Sequence, residues 1–242
     1  MLALALHDLL QRLDNAARQA GRPPPRLLAV SKFQDATAVA ELVGAWRAAR
    51  PGETPALGEN YVQETQAKQA ALGDPGLEWH LVGHLQSNKA REAAALFDWV
   101  QSVDRPKLVA ALAAHRDPER APLNVLLQVN IDDEASKHGC GPEDVPALAD
   151  AIAAQPRLAL RGLMAIPAPL PDLERRREAF RRMRALFEQL RPGYPQVDTL
   201  SMGMSDDATL AIAEGATMVR VGTALFGSRE RKGGRPGTPS TS

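Results

Sequence analysis

Eight short apolar runs recur along this chain, separated by longer helix-like stretches. The runs are RLLAV, PALG, EWHLVG, DWVQSV, NVLLQVNI, LALRGLMAI, DTLSMG and MVRVG. Several are continuous rather than alternating, as strands covered on both faces require, and strands alternating with helices imply a parallel sheet. Residues 35–50, 60–72, 88–96, 105–116, 142–154, 172–190 and 206–214 read as the intervening helices. Ser87, Asp104 and Ser205 stand as candidate N-caps, Pro106 and Pro142 in first turns, and Pro51, Gly73 and Gly215 at stops. A spacing of about 25 residues per unit suits a compact α/β fold, a single (β/α)8 TIM-type barrel. An open doubly wound sheet is the runner-up.

Ahead of the first strand, Leu2, Leu6, Leu9, Leu10 and Leu13 recur at helical spacing without a basic leader. An extra N-terminal docking helix explains them better than a signal peptide. Residues 1–227 are expected to form one folded unit, and residues 228–242 (SRERKGGRPGTPSTS) a disordered polar tail. No run approaches the ~20 apolar residues of a membrane span. Lys+Arg and Asp+Glu both number 29, so no net field favours nucleic acid or an anionic membrane. Cys140 is the sole cysteine, which excludes an internal disulfide and a cysteine metal cluster. A cytoplasmic location is expected.

A barrel carries its chemistry at the C-terminal strand ends, with phosphate often held after the seventh and eighth strands. The first run stops at Ser31-Lys32, a solvated terminus or an amine placed in a site. SMGMSDD offers a hydroxyl, a glycine and then a helix start, and RVGT offers Gly222 and Thr223. Together they make a phosphate cup; separately, each is ordinary turn chemistry. Arg220 stands inside the eighth run, where an apolar environment would penalise it, so it should meet a polar ligand or a buried carboxylate. An amine, an arginine and a phosphate cup are parts of a pyridoxal phosphate site. An arginine at the pyridine nitrogen disfavours its protonation and leaves the ring a weak electron sink.

LLAVSK, GENYVQE, WHLVGHLQSNK, NVLLQVNIDDEASKHG, LRGLMAIP, TLSMGMSDD and GATMVRVGTALFG, in this order, resemble the pyridoxal phosphate homeostasis protein (YggS/PROSC) family, whose members are alanine racemase N-terminal-domain-like. The resemblance runs from about Leu27 to Gly227. It implies a single barrel holding pyridoxal 5'-phosphate as an internal aldimine. Lys32 matches the Schiff-base lysine and Arg220 the arginine near the pyridine nitrogen. Ser201, Gly222 and Thr223 match phosphate-binding positions, and Asn60 lines the pocket. Met202 and Met164 sit in matching motifs that wall it. Phe33, after the lysine, stands where a smaller or polar residue is more usual. The racemase carries a second, all-β domain whose tyrosine is the opposite base; about fifteen residues after Gly227 leave no room for it here. The resemblance therefore implies a non-catalytic carrier or buffer in vitamin B6 and amino-acid homeostasis; a monomer is expected, with apo-forms of pyridoxal phosphate enzymes as partners. An amino-acid racemase, or a regulatory module with a structural cofactor, are the alternatives.

Other features are set aside. His80 and His84 flank the third run at i, i+4, a metal spacing on helices but not on a strand. Asp132, Asp133, Glu134, His138 and Cys140 in DDEASKHGC read as a solvated loop rather than a metal site, although Lys137 there could pass on an aldehyde. ERRREAFRRMRALFEQL carries an apolar stripe, Leu173, Phe180, Met183, Phe187 and Leu190, and reads as an outer helix with a solvated basic face.

Overall fold

The computed structural model describes residues 1–132, 138–168 and 172–227. Among them, eight parallel strands close into a barrel in sequence order: β1 (Arg26–Val30), β2 (Ala56–Glu59), β3 (Glu78–Leu81), β4 (Trp99–Val103), β5 (Leu123–Gln128), β6 (Leu158–Met164), β7 (Thr199–Ser201) and β8 (Met218–Val221). β8 returns to β1 with Leu28 opposite Arg220, so the sheet has no free edge. The open-sheet alternative is excluded. Lys137 and the 228–242 tail lie outside the described residues.

Helices cover the barrel: α1 (Leu2–Gln19), α2 (Ala36–Ala49), α3 (Val62–Leu72), α4 (Ala90–Leu96), α5 (Pro106–His115), α6 (Val145–Ala153), α7 (Leu173–Leu190), α8 (Ala208–Ala213) and α9 (Thr223–Phe226). α1 buries Leu6, Leu9 and Leu13 and packs on α2, α8 and α9, the docking role its leucine spacing implies. α7 buries Phe180, Met183, Phe187 and Leu190 but leaves Leu173 exposed. No helix among the described residues is long and apolar enough to cross a membrane.

Three expected caps differ. A 3-10 turn over Ser87–Lys89 precedes α4, so Ser87 sits inside the turn and Lys89 takes the cap position. Asp104 is engaged by its neighbour Arg105, which itself precedes α5. Ser205 lies two residues ahead of Asp207, the residue before α8, and its hydroxyl accepts from the Ala224 N–H. Asp104 found a stronger partner in Arg105 than the helix start offers. Asp35 and Asp172 do cap, accepting backbone N–H groups at the starts of α2 and α7.

Both faces of the sheet are buried, with different chemistry. Leu27, Ala29, Val100, Val219 and Val221 face the main core under the helices. The alternate positions turn into the barrel, where Leu28 and Met218 form one small apolar cluster and Trp99, Leu126 and Met164 another. Between these clusters the interior is polar, holding His80, Gln101, Ser201 and Arg220.

The β6–β7 pairing depends on Gly162, which pairs with Thr199 and has φ +143°. A Cβ there would lie 1.9 Å from the Thr199 carbonyl oxygen. Replacing Gly162 with alanine should therefore cost at least about 3 kcal/mol, combining backbone strain with a backbone clash. Urea unfolding of the Gly162→Ala variant measures this, and an unchanged midpoint would contradict the pairing.

Candidate functional site

The rim of the site is built where β1 ends. Ser31 is fully buried and its hydroxyl donates to Glu59 Oε1 at 2.6 Å. The Lys68 ammonium, almost fully buried on α3, donates to the Ser31 carbonyl at 2.6 Å, to Glu59 at 2.7 Å and to Glu64 at 2.8 Å. Glu64 also accepts the Phe33 N–H. The residues on both sides of Lys32 are thus tied to one buried ionic cluster. Phe33 adopts φ +64°, an unusual conformation for a non-glycine residue, and its exposed ring leans on Tyr61 at 5.8 Å. Burial pushes the Glu59 carboxyl up, although Lys68 and Ser31 both pull it down. These three charges were not singled out from sequence; the i, i+4 spacing of Glu64 and Lys68 is the one signal that pointed to them.

The floor of the site is Arg220. Its register opposite Leu28 places it deeper in the barrel than Lys32. The guanidinium is 4% exposed and donates to Ser201 Oγ at 2.8 Å and to the Ala165 carbonyl at 2.7 Å. Burial lowers its pKa to about 10, so it stays cationic at neutral pH. Among the described residues no carboxylate forms an ion pair with it. Its charge is instead passed along neutral groups. Ser201 donates to Gln101 Oε1 at 2.7 Å, the Gln101 amide donates to His80 Nδ1 at 2.9 Å, and His80 Nε2 donates to Glu78 at 2.6 Å. Arg26 closes the chain on Glu78 at 2.7 Å. His80 stacks on Trp99, and burial holds its pKa below the usual imidazole range, so it is neutral in this relay.

Between rim and floor lies a cavity of about 320 Å³, a size suited to a small cofactor. Lys32, Asn60, Arg220, Gly222 and Thr223 all line it. Ser201 and Met202 do not: Ser201 lies behind Arg220, and Met202 is fully buried in the main core. From the same SMGMSDD motif, Met204, Ser205 and Asp206 line the cavity instead. Met164 belongs to the interior cluster with Trp99 and Leu126. A Cβ on Gly222 would approach the Val30 carbonyl oxygen to 3.0 Å, so the chain passes close to the end of β1 here.

His80 and His84 do not act together, because His80 is sealed inside the barrel. Asp132 accepts the Ala168 N–H, and Cys140 is buried, with its thiol pushed up to about 12. The described part of DDEASKHGC is therefore not one acidic cluster.

Residues 4–230 match the family model described as alanine racemase, N-terminal domain. The chain is 52% identical over 221 residues to the pyridoxal phosphate homeostasis protein of Pseudomonas aeruginosa, covering 90% of this chain and 92% of that one. Its structure resembles PipY of Synechococcus elongatus with PLP bound, at TM-score 0.78 and 37% identity, over 94% of this chain and all of that one. Alanine racemase from Corynebacterium glutamicum shares the fold at TM-score 0.63 and 20% identity, with 61% of its own length covered.

The relay sets an acid limit on stability. Glu78 is pulled up by burial but pulled down further by His80 and Arg26, to about 2 from an ordinary 4.5. Its contribution is complete above pH 4.5 and is lost as pH falls toward 2, on the order of 3 kcal/mol. In Glu78→Gln this acid-dependent loss should disappear, leaving a flatter stability curve below pH 4.5 in urea titrations. An unchanged curve would mean that Glu78 is not the anionic end of the relay.

Proposed function

We propose a function on the premise that the chain belongs to the family of pyridoxal phosphate homeostasis proteins, built on the alanine racemase N-terminal domain. It binds pyridoxal 5'-phosphate in the barrel cavity and carries or buffers it for other proteins. The observation that carries this reading is the convergence of Lys32, Asn60, Arg220, Gly222 and Thr223 on one cavity.

The donor set fits the group. The Lys32 amine would hold the aldehyde carbon, condensing with loss of water, at a strand end held rigid by Ser31, Glu59 and Lys68. Arg220 would donate to the ring nitrogen. Its orientation is supported from behind by Ser201 rather than by a carboxylate. Ser205, Gly222 and Thr223 would hold the phosphate. Asp206 shares the lining, and the two cations Lys32 and Arg220 outweigh it. Asn60 positions the ring's edge substituents.

Bound pyridoxal phosphate stabilises carbanions when its ring nitrogen is protonated. Arg220, a cationic donor that cannot accept a hydrogen bond, would disfavour a protonated ring nitrogen and keep this capacity weak. Among the described residues lining the cavity, Lys32 is the only amine, and no tyrosine, histidine or cysteine stands across from it as a second base. Holding the cofactor, rather than racemising an amino acid with it, is what this lining suits.

Protein loaded with pyridoxal phosphate should restore activity when mixed with the apo-form of a pyridoxal phosphate enzyme. L-Alanine and L-serine should keep their configuration at the rate seen with Lys32→Ala. Lys32-dependent racemisation would make the protein an enzyme instead, and failure to restore the apo-enzyme would overturn the carrier role.

A further inference from the structure

We propose a second, independent site: a transition-metal site of the zinc class formed by His84, Asp104 and His138. These residues follow β3, β4 and β5, three successive strands, so all three lie on the C-terminal face of the barrel. A nitrogen from each imidazole and a carboxylate oxygen lie within 4.8 Å of one another. Among the described residues this is the one group of three such donors.

The donors are held by the fold. The Asp104 side chain is largely buried, and Arg105 binds its Oδ1 at 2.5 Å, leaving Oδ2 for an ion. Arg105 is itself fixed on the Leu85 carbonyl at 2.8 Å, beside His84. The His138 carbonyl accepts from the Gln128 amide at the end of β5, which anchors its backbone there. The two imidazoles stand face to face, with centroids 3.8 Å apart and planes at 16°. Both rings are exposed, and turning them out of this stack would let their nitrogens converge on a shared ion. Two imidazole nitrogens with one carboxylate favour a borderline-soft ion such as Zn2+ over Mg2+ or Ca2+. Three protein donors leave a fourth position open.

The three donors lie near the rim of the cofactor cavity. Val82, two residues before His84, lines the cavity, and the Gly83 backbone packs directly on Asn60. An ion here would supply a Lewis-acidic point beside the cavity mouth, able to take water or the carboxylate of an arriving ligand. Its donors are distinct from the lysine and arginine of the cofactor site, so the two proposals stand or fall separately.

Calorimetric titration of the metal-free full chain with Zn2+ tests this. One ion should bind per chain, and affinity should fall more than about tenfold in His84→Ala and in His138→Ala, since even an outer partner of a metal ligand is worth that much. His7→Ala, on the exposed face of α1, should leave it unchanged. Both histidines at the site are exposed, so the variants should fold and should load pyridoxal phosphate like the parent chain. No Zn2+ uptake by the parent, or equal affinity in the His84→Ala/His138→Ala double variant, would overturn the site.

Discussion

A permanently charged guanidinium inside a barrel must be satisfied without water, and the rest of this interior is arranged around that need. An isolated buried charge is costly, and a direct carboxylate would neutralise Arg220 and occupy the floor of the cavity. The barrel takes neither course. Two hydrogen bonds hold the guanidinium to Ser201 and Ala165, and a neutral relay carries its influence through Gln101 and His80 to Glu78. The anion therefore lies at the start of β3, at the opposite end of the barrel from the ligand. Arg220 keeps its charge and orientation without a carboxylate bonded to it among the described residues.

The rim solves a different problem. Lys32 follows the last residues of β1, and a loop lysine would ordinarily wander. Here the buried cluster of Glu59, Glu64 and Lys68 clamps the backbone on both sides of it. The positive φ of Phe33 is a local strain tolerated within that clamp. Breaking such a cluster by removing its lysine would strand two carboxylates, which is why a structural cation stands so near a functional one.

The architecture was legible because a parallel barrel buries both strand faces, leaving continuous apolar runs that punctuation by proline and glycine separates. Lys32 and Arg220 were legible for the converse reason: each interrupts or ends such a run. The finer placement was not. SMGMSDD contains Ser201 and Ser205, and which one meets the cavity depends on β7 ending at Ser201 and on the turn that follows. The Ser31–Glu59–Lys68 contacts, and the meeting of His84 with His138, join residues distant in sequence that only the lateral order of the strands brings together. Capping residues misled where a neighbouring arginine or backbone group offered a stronger bond, as at Asp104.

The central claim is that this fold holds an aldehyde cofactor by one amine at the end of β1. Reduction of the pyridoxal phosphate-loaded protein with borohydride, followed by digestion and peptide mass analysis, tests it directly. The account predicts a pyridoxyl group on the peptide containing Lys32 and its loss in Lys32→Ala. A label found only on other lysines, or no label after loading, would contradict it.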